Sequence, residues 1–253
     1  YSSAASDVYK RQTVSAEING ITINNTVNVS FIAGPPDRFL ITHDGAGTAG
    51  ISEDVSLQIF DENDNAVVWF DEVIRVYTDS QEATDMIGWE LGPGASGSIV
   101  NESGDTVSYH FSASDAGSVI LRFNDRKAET VFFRASFGSV TDQSSQPMTT
   151  VPAAADSIFI IAGDGQRSVA GQAVPQQLTV GVEDQFGNRV PGQQVRFQVI
   201  AGAGTIDVDT SSLPDDDEYT DTDGSGVAVC DSWILGTVSG YDSDRATASI
   251  TSG

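Results

Sequence analysis

Five residues, Asp61-Glu62-Asn63-Asp64-Asn65, interrupt an apolar run in SLQIFDENDNAVVWF. Carboxylates and amides set this close together are hard oxygen donors of the kind Ca²⁺ takes. The same residue types bond nearby backbone groups and tolerate left-handed conformations, so the stretch also reads as a tight corner. A second acid-rich segment, IDVDTSSLPDDDEYTDTDGSG, lies in a region where Thr205 to Arg245 hold eleven acids and one base. Counted from Asp221 as the first ligand of a twelve-residue calcium loop, the twelfth position is Ser232 and not a bidentate Glu. The plain reading of 207–223 is a solvated turn, and calcium there is the alternative.

Other chemistry is sparse. His43 and His110 are the only histidines, far apart and outside any HExxH or Cys–His pattern. No G-x-S-x-G elbow or phosphate loop occurs. Acid pairs are too common in this chain for any one of them to indicate glycosidase chemistry. Trp69, Trp89 and Trp233 would make a sugar-binding platform if exposed together; a sandwich Trp more often lies in the core or at its rim. Asn24, Asn28 and Asn101 head N-x-S/T triplets, which mean little in a bacterial setting. The lone Cys230, in the strand-like VAVCDSWIL, rules out an internal disulfide and suits a small buried residue. No residue is therefore assigned as catalytic, cofactor-binding or metal-binding, and no cofactor is expected.

The elements that must position these residues follow from pattern. The chain has 253 residues, 39% of them hydrophobic, enough for packed cores in two domains. Val, Ile, Thr and Phe recur in runs of four to eight between Gly- and Pro-bearing turns, and helical spacing is lacking. The expected class is all-β. A net charge of −24 repels phosphate backbones, which argues against a nucleic-acid partner. Its plain role is solubility. No run of 18 apolar residues is present, so no transmembrane helix is expected. The start, YSSAASDVYKRQ, resembles translated sequencing-adapter read-through; residues 1–12 are expected to be a non-native or disordered tail. What remains reads as an internal fragment of a longer protein.

A diverged repeat organises that remainder. SLQIFDENDNAVVWFDEVIRVY is matched by LTVGVEDQFGNRVPGQQVRFQV, placing Asp61 on Asp184, Asn65 on Asn188 and Val67 on Val190. Gly187 supplies positive φ without steric cost, and Asp64 stands in its place in the first copy. The corner is common to both copies; the calcium-like letters, which resemble the interdomain linker motif of cadherins, are not. FSASDAGSVILRF matches YTDTDGSGVAVCDSWIL, with Gly117 on Gly226. The copies close on ETVFFRAS and RATASIT. Residues 13–34 alternate like the last strands of a preceding copy, with a two-residue hairpin signal at Asn19-Gly20. The Ser-, Thr-, Gln- and Pro-rich segment 138–151 reads as a linker.

The second copy resembles the bacterial immunoglobulin-like domain, group 1, repeats that form the stalks of invasin- and intimin-type adhesins. The likeness rests on D-Q-F-G-N-x-V-P-G (Asp184 to Gly192), T-D-x-x-G (Thr222 to Gly226) and W-x-L-G (Trp233 to Gly236), and covers 152–253. The first copy matches only in outline and lacks the glycine and the V-P-G. The resemblance implies tandem Greek-key β-sandwiches. The expected order is a terminal hairpin at 13–34, a sandwich at 35–137, a linker at 138–151 and a sandwich at 152–253. The implied role is a non-catalytic stalk or spacer of a large bacterial adhesin-like protein. Such a protein would be cell-surface or secreted, anchored in the outer membrane through regions outside this sequence. Neighbouring repeats would be the partners, with a host or surface ligand at a distant tip and no membrane insertion by this stretch. Asp184, Gly187, Asn188, Pro191 and Gly192 would matter as turn and core residues. A carbohydrate- or host-protein-binding module, or an accessory domain of an extracellular enzyme, are the alternatives.

Overall fold

The computed structural model describes residues 11–14, 17–18, 21–22, 27–80, 86–208, 215–238 and 244–251. It is an all-β protein of tandem immunoglobulin-like sandwiches, and no α-helix occurs among the described residues. The chain divides into two units, 1–150 and 151–253.

The first unit begins with β1 (Arg11–Val14), β2 (Glu17–Ile18), β3 (Ile21–Thr22) and β4 (Val27–Ser30). β1 pairs antiparallel with β4, Val14 facing Val27, and β2 with β3, Ile18 facing Ile21. Among the described residues no further strand joins either pair. The expected tail at 1–12 is too long by two residues, because Arg11 and Gln12 pair with Ser30 and Val29; residues 1–10 lie outside the described residues.

The body of this unit continues with β5 (Arg38–Thr42), β6 (Ala46–Thr48), β7 (Ser52–Phe60), β8 (Val73–Thr78), β9 (Ile87–Leu91), β10 (Ser98–Ser103), β11 (Thr106–His110), β12 (Ser118–Asp125), β13 (Thr130–Val131), β14 (Phe133–Phe137), β15 (Val140–Gln143) and β16 (Met148–Val151). One sheet has the order β5-β7-β12-β9, the other β10-β11-β8-β14-β15. Consecutive strands β7 and β8 lie in opposite sheets, as do β12 and β14, which is the crossing connectivity of a Greek key. β13, β16 and β6 form a small third sheet.

Alternation explains the core. Along β12, Val119, Leu121 and Phe123 are buried while Ile120 and Arg122 are partly exposed, the period of two that puts every second side chain inward. Trp89, Phe123 and Phe133 meet at centroid distances of 4.9–5.9 Å, and the His43 ring abuts Phe133. Tyr109 is fully buried and donates its hydroxyl proton to Asp115 Oδ2 at 2.9 Å. Asp115 also accepts from Ser112 N and Ser96 N. Burial first, then the Asp115 bond, pushes the Tyr109 hydroxyl pKa well up, so it stays a neutral donor.

The expected linker at 138–151 is corrected. Two of its stretches are strands: β15 pairs with β14, and β16 with β13. Met148, Ser144 and Thr150 are buried. Ser144 Oγ accepts from Phe133 N and donates to Gln146 O. The polar composition is real, but its groups are satisfied across the fold and so tolerate burial. ETVFFRAS accordingly does not close the first copy, because two more strands follow it.

The second unit holds β17 (Ala155–Ala162), β18 (Leu178–Asp184), β19 (Gln194–Ala201), β20 (Thr205–Asp207), β21 (Asp217–Asp221), β22 (Val227–Cys230), β23 (Ser232–Ile234) and β24 (Arg245–Ile250). Its sheets run β17-β18-β22 and β21-β19-β24, with β20-β23 as a pair. The register repeats that of the first unit. Leu121 faces Val55 as Cys230 faces Leu178, and Ala135 faces Val76 as Ala248 faces Phe197. Its core is smaller: Val180, Val182, Val195, Phe197, Ile206, Ala228 and Cys230 are its fully buried apolar members.

Phe133 touches both aromatic neighbours and the His43 ring, so its loss leaves a void that no single side chain can fill. Phe133→Ala is expected to destabilise the first unit by about 3–5 kcal/mol. Urea unfolding followed by fluorescence of the adjoining Trp89 measures this, and a change below about 1 kcal/mol would contradict the packing described.

Candidate functional site

The most elaborate polar arrangement is built twice, once in each unit, at the corner leaving β7 and at the corner leaving β18. Asp61 Oδ1 accepts from Asn63 N at 2.9 Å and Asn65 N at 2.8 Å. Asp184 Oδ1 accepts from Phe186 N and Asn188 N, both at 2.9 Å. Each Asn returns its side-chain amide to the same carboxylate, Asn65 Nδ2 to Asp61 Oδ2 at 3.0 Å and Asn188 Nδ2 to Asp184 Oδ2 at 2.9 Å. The fourth corner residue takes positive φ in both, +62° at Asp64 and +84° at Gly187. Asp64 bears the side chain that Gly187 avoids, and its carboxylate meets Arg38 at 2.7 Å.

Each carboxylate also reaches the segment that leads into the first long strand of its sandwich, β5 or β17. Asp61 Oδ2 accepts from Gly34 N at 2.7 Å, and Asp184 Oδ2 accepts from Ala153 N at 2.9 Å. In the first unit Trp69 Nε1 adds a bond to Ala33 O at 2.9 Å. A glycine from the next turn seals each corner. Ile59 N donates to Gly117 O and Val182 N to Gly226 O, both at 2.9 Å. A side chain at either glycine would strike the corner backbone, at Val67 or at Arg189–Val190.

Hydrogen bonding sets the electrostatics. At Asp61 the Asn65 side chain, against burial and together with the amides of Asn65, Gly34 and Asn63, lowers the carboxyl to about 2. At Asp184 burial pushes upward, but the bonds from Asn188, Ala153 and Phe186 outweigh it and the net shift is downward. Both oxygens of each buried carboxylate thus face N–H protons. DENDN is a corner whose first Asp organises backbone.

The remaining motifs fall into place around the second corner. Thr222 of T-D-x-x-G donates to Val190 O at 2.7 Å and accepts from Gln193 N at 2.9 Å, clasping the V-P-G turn. Asp223 Oδ1 caps Ser225 N and Val227 N; the Ser225 hydroxyl bond, then those amides, lower its pKa. Two sequence motifs about 30 residues apart are therefore one structural cluster. Pattern reasoning missed Gly34 and Ala153, because a backbone N–H leaves no signature in the sequence; it named Thr222 without joining it to the corner and did not single out Asp115, whose partners Ser96 and Tyr109 are distant in sequence.

Trp89 is in the core of the first unit, Trp69 is half-exposed at its rim, and Trp233 is half-buried against the core of the second unit. His43 bonds Gln146 O, while His110 lies 3.9 Å from Asp71. Cys230 is buried, and burial pushes its thiol up to about 11. Among the described residues no three His, Cys, Asp or Glu side chains group as metal ligands; residues 209–214 of the acidic segment lie outside them. No described helix is long and apolar enough to cross a membrane.

No family model matches the chain, and no curated protein matches it. The group 1 assignment therefore remains a resemblance carried by 184–192, 222–226 and 233–236. Solved structures similar to the chain include FdeC, an Escherichia coli adhesin, at 16% identity over 92% of this chain and 67% of that one, with a TM-score of 0.48. InvD of Yersinia pseudotuberculosis follows at 13% over 92% and 79%, with 0.42. Invasin, a bacterial integrin-binding protein, gives 12% over 84% and 35%, with 0.35. At such identities and scores, the description of the fold stands on the strand pairing itself.

The corner carboxylate has a testable pH signature. Its folded pKa of about 2 lies below the unfolded value of ~3.9. Asp61 thus contributes stability that is complete above about pH 4 and is lost as pH falls toward 2. Asp61→Asn is expected to lower stability at neutral pH and to flatten that acid limb. Denaturant midpoints between about pH 5 and pH 2 read both effects; parallel limbs for variant and parent would contradict the role.

Proposed function

We infer that this chain is a non-catalytic, load-bearing stretch of a bacterial cell-surface or secreted adhesin-like protein. The observation that carries this reading is the doubled corner, in which a buried carboxylate grips the segment leading into β5 or β17. Tension along the chain would reach each sandwich at that grip. A bond from that segment into a carboxylate resists peeling better than a loop alone, since bonds to a charged acceptor are roughly twice as strong as neutral ones. The tandem sandwiches support the same reading. Its partners would be neighbouring repeats of the same kind, and any host ligand would sit elsewhere on the longer protein.

Pulling single molecules by their two ends tests this. Two unfolding events are expected, each releasing roughly 35 nm for ~100 residues. Asp184→Ala should lower the force of one event and leave the other unchanged. Unfolding that merges into the featureless stretching of a slack chain would sink the reading.

A further inference from the structure

Both units carry an arginine at one register position and treat it differently. Strands β8 and β19 are equivalent, since Val76 faces Ala135 as Phe197 faces Ala248. Arg75 and Arg196 each stand one residue earlier, on the outward side of the strand. Ser108 faces Arg75 and Tyr219 faces Arg196, so Thr106 and Asp217, two residues before them, are equivalent as well. In the second unit Asp217 takes the Arg196 guanidinium through both oxygens, at 2.7 Å each. In the first unit a threonine stands there, and Arg75 Nη2 donates to its hydroxyl at 3.2 Å. Among the described residues no carboxylate meets Arg75.

The surroundings sharpen the contrast. Across the outward face of the sheet β10-β11-β8-β14-β15, the row through Arg75 holds Asn101, Ser108, Ser136 and Thr141. The next row runs from Thr106 through Tyr77 and Arg134 to Gln143. Neither row contains an acid, in a chain with 36 acids to 12 bases. Carboxylates stand at the rim: Asp79 lies 3.9 Å from Arg134, and Asp105 accepts the Thr106 hydroxyl proton at 3.1 Å. Arg75 is exposed, and its Cζ lies 4.9 Å from the centroid of the Tyr77 ring, which helps to hold the fork in place.

We propose that this face of the first unit binds a carboxylated sugar, a uronate unit of a glycan, whose carboxylate takes at Arg75 the place that Asp217 takes at Arg196. The guanidinium fork matches a carboxylate through two parallel bonds. The hydroxyls and amides of the two rows supply donors and acceptors for the ring hydroxyls. An acidic peptide fits less well. The backbone groups of the three inner strands are spent within the sheet, so the face lacks the main-chain bonding by which a sheet edge takes a peptide. The net charge of −24 opposes a dense polyanion, so neutral sugar surface would accompany each carboxylate. This adds a binding face to the stretch and does not depend on its load-bearing role.

The test titrates the isotope-labelled 253-residue chain with methyl glucuronide and follows its amide resonances. Saturable shifts at Arg75, Ser108 and Ser136 are expected, with an affinity in roughly the millimolar range. Arg75→Gln and Thr106→Asp should each weaken binding about tenfold or more. The second of these rebuilds the internal pair of the other unit and so closes the site from within. Arg196→Gln should leave binding unchanged, and resonances away from the face report that each variant is folded. Absence of shifts, or full affinity in Thr106→Asp, would overturn the proposal. Equal binding of methyl glucoside would remove the carboxylate from it, and equal binding of propionate would remove the sugar; either result defeats it.

Discussion

A carboxylate buried at a β-corner is the constraint on which each sandwich turns. An ionised group out of water is costly unless its lone pairs are met. Asp61 and Asp184 meet that requirement with backbone amides, and so dictate where those amides must be. The corner residues are wound around the oxygens, the incoming segment is drawn to them, and the glycine turn is pressed against the outside. Sheet order then follows, since the strands on either side of the corner are committed to opposite sheets.

Given the same corner, the two units build different interiors. The first fills its sandwich with Trp89, Tyr109, Phe111, Phe123 and Phe133 and adds strands beyond β14. The second relies on three valines with Phe197, Ile206, Ala228 and Cys230, and its outer strands β17 and β24 remain partly exposed along their length. Repetition of a turn does not impose repetition of a core: the corner is local and polar, whereas core volume is shared among strands distant in sequence.

That contrast decides what was legible in the sequence. Asp61, Asn65, Asp184, Gly187 and Asn188 could be read as corners because their partners lie two to four residues away and the positive φ is tied to residue type. Alternation along β12 and β19 marked strands for the same local reason. Residues 138–151 were misread as a linker because Ser144 and Thr150 look solvent-bound until the long-range partners of this segment are seen. The grip on Gly34 and Ala153 was invisible, as any residue carries the N–H that makes it. The calcium-like letters of DENDN misdirect because the same oxygens serve cations and amides alike.

Cys230 has a consequence of another kind. It is the single thiol of the chain, it faces Leu178 in the core of the second unit, and burial holds it protonated. Only the thiolate attacks disulfides or oxidants. A folded chain is thus chemically silent in oxidising surroundings, whereas one whose second unit has opened presents a nucleophile. Covalent cross-linking between copies would select damaged molecules and spare intact ones, making the thiol a record of which chains have ever come apart.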